Sequence, residues 1–259
     1  MKVRPTYTDS DYKLAKEGCG DVHRKGILPL DKFSVHLSSV SSKRGSFINA
    51  IYLPSYTNRR AFIVTQYPPE EEAVDFLRLL NDHESDTVIC MDPLKDIESS
   101  TTWLPTPSSS KVVVPLNVHY QSKAGTDVKS TKIHMVQNNS EEEAHSVTII
   151  EPIVAMKTSG NPLDTSQLRS LVSVALSSEN EKPITVVSKD GACLCGFFCA
   201  VHNVIQQINM DDCVDIFTAV RQLQVRRPEF CANFDEYGLI YRSVYDNIQS
   251  TTENIYSNQ

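Results

Sequence analysis

PITVVSKDGACLCGFFCAVHNVI, residues 183–205, decides the fold. A β-branched apolar run (183–188) passes through a short loop with Gly191 into an apolar stretch of helical character, read as a helix from about Cys195 to Ile208. A strand, a tight loop and a helix make an anion cradle, because backbone N–H groups gather at the helix N-terminus. Here the loop holds Ser188 where a stronger nucleophile would serve, and Leu194 where a bound anion would want a cation.

Composition limits the possibilities. The chain has 259 residues, 40% hydrophobic and 22% charged, as expected of a folded globular domain. Net charge is −7, and the basic pairs Lys43/Arg44, Arg59/Arg60 and Arg226/Arg227 are isolated, which reads as solvated faces and argues against a nucleic-acid surface. No apolar run approaches the ~20 residues of a membrane helix. The first residues, MKVRPTYTDSDYK, are too polar for a secretory signal. Seven cysteines without a paired framework read as reduced thiols of an intracellular domain, a reading that also fits an intracellular part of a membrane protein.

Along the chain, residues 8–19 read as a short helix and 46–53 and 60–66 as strands joined by the hairpin connection PSYTNR. Residues 68–83 carry prolines, then acids, then apolar residues at helical spacing. A buried strand follows at 86–91, a loop at 97–111, and a meander of strands at 111–120, 130–137 and 144–154. SGNP (159–162) reads as a turn, and helices are expected at 163–178, 211–227 and 234–248, the last followed by a polar tail over 250–259. Mixed strands followed by clustered helices imply one α/β domain, over 1–249, around a mixed or mostly antiparallel sheet.

The stretch SFINAIYLPSYTNRRAFIVTQYPPEEEAVDFLRLL resembles the protein tyrosine phosphatase pattern [DN]-Y-I-N-A-x-Y, A-[FY]-I-x-[TA]-Q-G-P, D-F-W-R. The likeness continues in order through TVICM, WLP, GNP, residues 183–205 and RRPEF with DEYGLIYRSV, and so covers nearly everything from residue 26 onward. It is nearest to the second, membrane-distal phosphatase domain of receptor-type members. The resemblance implies a protein tyrosine phosphatase-like α/β fold: a single domain with a twisted mixed β-sheet flanked by helices.

It also permits a residue-by-residue comparison. Where active members read H-C-x-x-G-x-x-R-[ST]-G, this chain reads VSKDGACLCG. Ser188 falls at the nucleophile position and Leu194 at the phosphate-binding arginine; the loop remnant is Ser188, Lys189, Asp190, Gly191, Ala192, Cys193 and Leu194. A cysteine thiolate is stabilised at neutral pH by amides and a cation, whereas a serine hydroxyl needs an adjacent base, and no histidine adjoins Ser188. Leucine cannot grip phosphate oxygens as a guanidinium does. The general-acid loop W-P-D-x-G-x-P becomes MKTSGNP, with Thr158 at the acid. Arg24 aligns with the recognition tyrosine, Ala232 and Glu236 with the water-positioning glutamines, Tyr67 with a glycine and Ser99 with a lysine.

Cys193, Cys195 and Cys199 do not have zinc spacing and read as buried thiols; no metal or cofactor is expected. Neither Cys193 nor Cys195 is expected to replace the nucleophile, and phosphate binding by the loop is expected to be weak or absent. Tyr256, followed two residues later by Asn258, is a candidate phosphorylation site of the kind SH2 domains bind. Taken together, these residues imply a catalytically inactive, regulatory or docking domain of a single-pass receptor tyrosine phosphatase. Such a domain lies on the cytoplasmic side of the plasma membrane and takes an active phosphatase domain or signalling proteins as partners. Two alternatives stay open: a phosphotyrosine-binding trap without turnover, and a phosphatase with atypical chemistry.

Overall fold

The computed structural model describes residues 5–18, 26–39, 44–106, 110–113, 116–124, 127–137, 144–156, 165–178 and 181–257. Nine strands form one sheet: β1 (Ser34–His36), β2 (Phe47–Leu53), β3 (Phe62–Gln66), β4 (Thr87–Cys90), β5 (Ser110–Val113), β6 (Leu116–Ala124), β7 (Val128–Gln137), β8 (His145–Pro152) and β9 (Ile184–Ser188). Their spatial order is β1-β2-β3-β9-β4-β8-β7-β6-β5. The pairs β3/β9, β9/β4 and β4/β8 are parallel, and the two flanks are antiparallel. The sheet is therefore mixed, with its parallel part buried between helices.

The helices are α1 (Lys13–Gly18), α2 (Ala73–Asp82), α3 (Ser100–Trp103), α4 (Ser166–Leu176), α5 (Cys193–Asp211), α6 (Ile216–Gln224) and α7 (Phe234–Ser257). Strand alternation sorts the core into two layers. Ile184 and Val186 of β9 pack with Phe62, Val64, α4, α5, α6 and α7. Val187 joins Ile63, Val88, Phe76 of α2 and Trp103 of α3 on the opposite face. Trp103 is fully buried, with its ring 4.9 Å from that of Phe76.

Four expectations need correction. The run 111–120 is not one strand: β5 and β6 are separate strands that pair antiparallel, with Val113 opposite Leu116. The stretch 97–111 is not wholly loop, because Ser100–Trp103 turns once as α3 to bury Trp103. α6 starts at Ile216 rather than 211: Asp212 has a φ of 51° and ends α5, and the Asp215 carboxylate then caps α6 by accepting from Thr218 N at 2.9 Å. Finally, α7 runs through Ser257, beyond the expected end at 248. Arg169 Nη1 ties that extension to α4 by donating to Asp246 O at 3.4 Å and Ser250 Oγ at 3.2 Å. The expected turn at 159–162 lies outside the described residues.

Candidate functional site

The loop after β9 begins at Ser188, which is buried to 1% exposure and held by the strand ladder against Gln66 of β3. Its carbonyl accepts from Tyr67 N at 3.0 Å, and its hydroxyl donates to Asp190 Oδ1 at 3.0 Å. The chain turns at Gly191, where φ is +61°. A Cβ there would stand 2.8 Å from Gln66 N and 2.9 Å from Thr65 C, so both backbone conformation and space demand glycine.

The amides that open α5 are already engaged. Asp190 Oδ1 accepts from Ala192 N at 2.9 Å and from Cys193 N at 3.1 Å, while Oδ2 accepts from Cys193 N at 3.3 Å. The protein thus supplies its own carboxylate to the N–H groups an external anion would use. Asp190 is thus an internal ligand of the helix N-terminus. Lys189 turns away to Asp92, its Nζ 3.5 Å from Asp92 Oδ1.

Asp92 adds further negative charge. It is buried to 7% exposure and its Oδ2 has no partner among the described residues. Burial pushes its carboxyl above the ordinary value, Lys189 draws it back, and the Asp190 charge pushes in the same direction as burial. Tyr67 fixes Asp92 in place: its hydroxyl accepts from Asp92 N at 3.0 Å and donates to Asp92 O at 3.3 Å. A residue read from sequence only as a departure from glycine therefore braces the loop.

Beneath the loop lies Arg227, which sequence reading missed as a site residue. It is 2% exposed; Nη1 donates to Gly191 O, and Nη2 reaches Asn49 Oδ1 at 3.5 Å. Burial lowers its pKa, and Nε has no partner among the described residues. The only signal in the sequence was its place in RRPEF, beside the more exposed Arg226. Leu194 is half-buried and packs against the helical side of the core.

Glu236 comes to the same place from α7. Asn233 Oδ1 accepts from Glu236 N at 2.9 Å, and Glu236 returns the contact to Asn233 Nδ2 and to Ala232 N, forming a reciprocal cap. Cys193 Sγ donates to Glu236 Oε1 at 3.8 Å, which joins the loop to this cap. Burial, then Glu236 and Asp190, push the Cys193 thiol up to about 12. The structure thus gathers Ser188, Asp190, Cys193, Ala232 and Glu236. Ser99 instead lines a 780 Å³ groove with Arg44, Glu98 and Lys111, to which no loop residue contributes. Thr158 and Arg24 lie outside the described residues; Tyr256 falls within α7, but its side chain is not described. Among the described residues no cluster of His, Cys, Asp or Glu could hold a metal ion, and no helix is long and apolar enough to cross a membrane.

Chemically the site is an anion cradle filled from within and bordered by Asp92 and Asp190. Leu194, half-buried, closes the loop with an apolar side chain. Comparison with known proteins identifies the family. Residues 21–246 match the pattern of the family described as protein-tyrosine phosphatase. The chain is 29% identical over 247 residues to receptor-type tyrosine-protein phosphatase eta of Gallus gallus, with 92% of this chain and 17% of that protein covered. It is 22% identical over 251 residues to the zeta protein of Homo sapiens (94% and 11% covered). Against the human epsilon protein it is 24% identical over 232 residues (85% and 33% covered). The chain therefore spans from about a tenth to a third of the length of these relatives.

Proposed function

Because the chain belongs to the protein-tyrosine phosphatase family, we propose that it is a catalytically silent member domain, of the membrane-distal kind, serving as a regulatory or docking module of a receptor tyrosine phosphatase. In that setting it sits on the cytoplasmic side of the plasma membrane and pairs with an active phosphatase domain or signalling proteins. One observation carries the reading: Asp190 occupies the amides of Ala192 and Cys193, at 2.9 and 3.1 Å. A phosphoryl dianion entering there meets a fixed carboxylate instead of free donors. The Ser188 and Leu194 positions add the loss of a thiolate and of a cation. Thr158 in place of the general acid is worth a further ~10²–10⁴ in rate.

One contact favours a second reading, a phosphatase with atypical chemistry. Ser188 Oγ donates to Asp190 Oδ1 at 3.0 Å, the arrangement of a hydroxyl beside a base. Against it, Ser188 is 1% exposed, and the same carboxylate oxygen is also spent on two amides. Assaying the purified domain on an aryl phosphate separates the two. No turnover above background, in a domain that unfolds cooperatively, is the expected result. Turnover that vanishes in Ser188→Ala would replace the first reading with the second.

A further inference from the structure

The fold divides arginines that look equivalent in sequence. Arg227 goes inward under the loop, while its neighbour Arg226 reaches the turn before β3. Arg226 Nη1 donates to Tyr52 O at 2.8 Å and to Arg59 O at 3.2 Å, and its guanidinium lies 5.1 Å from the centre of the Phe33 ring. Arg60 lies 5.0 Å from the centre of the Tyr52 ring. Two arginines 166 positions apart in sequence, Arg60 and Arg226, thereby become one patch. The isolated basic pairs expected from sequence are corrected to a cluster.

Arg59 and Arg60 are exposed and Arg226 is half-buried. Among the described residues none of the three forms an ion pair. Burial lowers the Arg226 pKa, and the charges of Arg59 and Arg60 lower it further. Arg226 is held by backbone carbonyls and a ring face and Arg60 by a ring face, with the Arg59 charge close to them and, among the described residues, no carboxylate paired to any of the three. Guanidinium forks fixed on aromatic faces match phosphate oxygens in shape.

We propose that Arg59, Arg60 and Arg226 form an exosite for the phosphoryl group of a phosphorylated protein segment. The proposal rests on the docking reading above and names the chemistry of the partner. A phosphoryl group brings close to two negative charges, which suits three guanidiniums better than one carboxylate does. A membrane or nucleic acid fits less well. Tyr56 of the same turn donates to the Asp211 carboxylate, Asp212 follows it, both acids are exposed, and the chain carries a net charge of −7. An extended polyanion meets those acids, whereas one phosphoryl group does not.

The test is an NMR titration that follows arginine Nε–H signals and backbone amides. The probes are a short capped alanine–glycine peptide with one central phosphotyrosine, the same peptide unphosphorylated, inorganic phosphate, and phosphatidylserine vesicles. Saturable shifts at Arg59, Arg60 and Arg226 with the phosphopeptide are expected. The Arg59→Ala/Arg60→Ala variant, which alters only exposed side chains, should bind at least about tenfold more weakly, since each lost charged hydrogen bond is worth about a factor of ten or more. Equal binding of the unphosphorylated peptide, shifts with inorganic phosphate or vesicles but none with the phosphopeptide, shifts confined to residues 189–194, or no saturable shift would each overturn the proposal. Catalytic silence is read separately from turnover, so it can stand or fall independently.

Discussion

Cys195 Sγ donates a hydrogen bond to Ser188 Oγ across 3.2 Å. A sulfur thus sits one contact away from the first residue of the loop, yet it is buried. Cys195 is fully buried, and burial pushes its thiol far above the ordinary value, outweighing the lowering effect of Ser188. Among the described cysteines Cys213 is exposed, Cys193 half-buried, and Cys90, Cys195, Cys199 and Cys231 buried. Iodoacetamide labelling of the native protein, read by peptide mass spectrometry, is expected to modify Cys213 first and to leave Cys195 untouched at neutral pH. Labelling of Cys195 at the rate of Cys213 would show that this thiol is available for chemistry.

Removing the internal anion should open the cradle. Asp190→Ala frees the amides of Ala192 and Cys193 and is expected to cost about 1 kcal/mol, as loss of a helix cap does. Orthovanadate, followed by calorimetry, should show no saturable heat with the native protein and weak saturable binding with the variant. Tight binding to the native protein would mean that the carboxylate leaves on demand.

Gly191→Ala tests the turn. The left-handed backbone costs a non-glycine residue about 1–2 kcal/mol, and the 2.8 Å approach to Gln66 N adds a clash with backbone that cannot step aside. Urea unfolding is expected to show a loss of about 2 kcal/mol or more. A loss under half of that would mean the β3–β9 edge yields.

Acid should destabilise the fold through His202. The ring is buried, and burial lowers its pKa from 6.5 to about 4, with the Asn203 side chain pulling the other way. Between those values the unfolded chain binds a proton that the folded chain refuses, so stability falls as pH drops from about 6.5 to 4 and levels off below. The loss is about 3.5 kcal/mol at most, each pKa unit being worth about 1.4 kcal/mol. Denaturation of native and His202→Leu proteins at several pH values should show this slope only in the former. Parallel curves would place the acid sensitivity elsewhere.

Restoring Ser188→Cys, Leu194→Arg and Thr158→Asp together should recover aryl phosphatase activity only in part, because Asp190 still holds the amides and Arg24, Ala232 and Tyr67 still differ from the family pattern. Adding Asp190→Ala should raise kcat/KM further. Recovery to ordinary rates by the three changes alone would show that the rest of the pocket is intact.

Much of this was legible beforehand, for identifiable reasons. The β2–β3 hairpin announced itself through alternating apolar residues around PSYTNR, and β9 through four consecutive β-branched residues, 184–187. The departures expected at Ser188 and Leu194 rest on Gly191 and Gly196, the glycines that anchor the resemblance. What escaped notice depended on contacts distant in sequence. Nothing local says that Arg227 turns inward to Gly191, or that Arg226 closes on Arg59 and Arg60. Nor does anything local say that Asp190 and Lys189 part, the one to backbone donors and the other to Asp92. The division between β5 and β6 was hidden by apolar residues that continue across Pro115.

The placement of β9 governs how this protein can be made. Residues 184–188 lie between β3 and β4, strands that leave the ribosome some hundred residues earlier. Until β9 is synthesised, the inner edges of β3 and β4 have no neighbour, and a nascent chain exposes strand edges of the kind that pair with other chains. Translational pauses upstream of residue 184 should therefore increase chaperone dependence, while the finished domain remains unaffected.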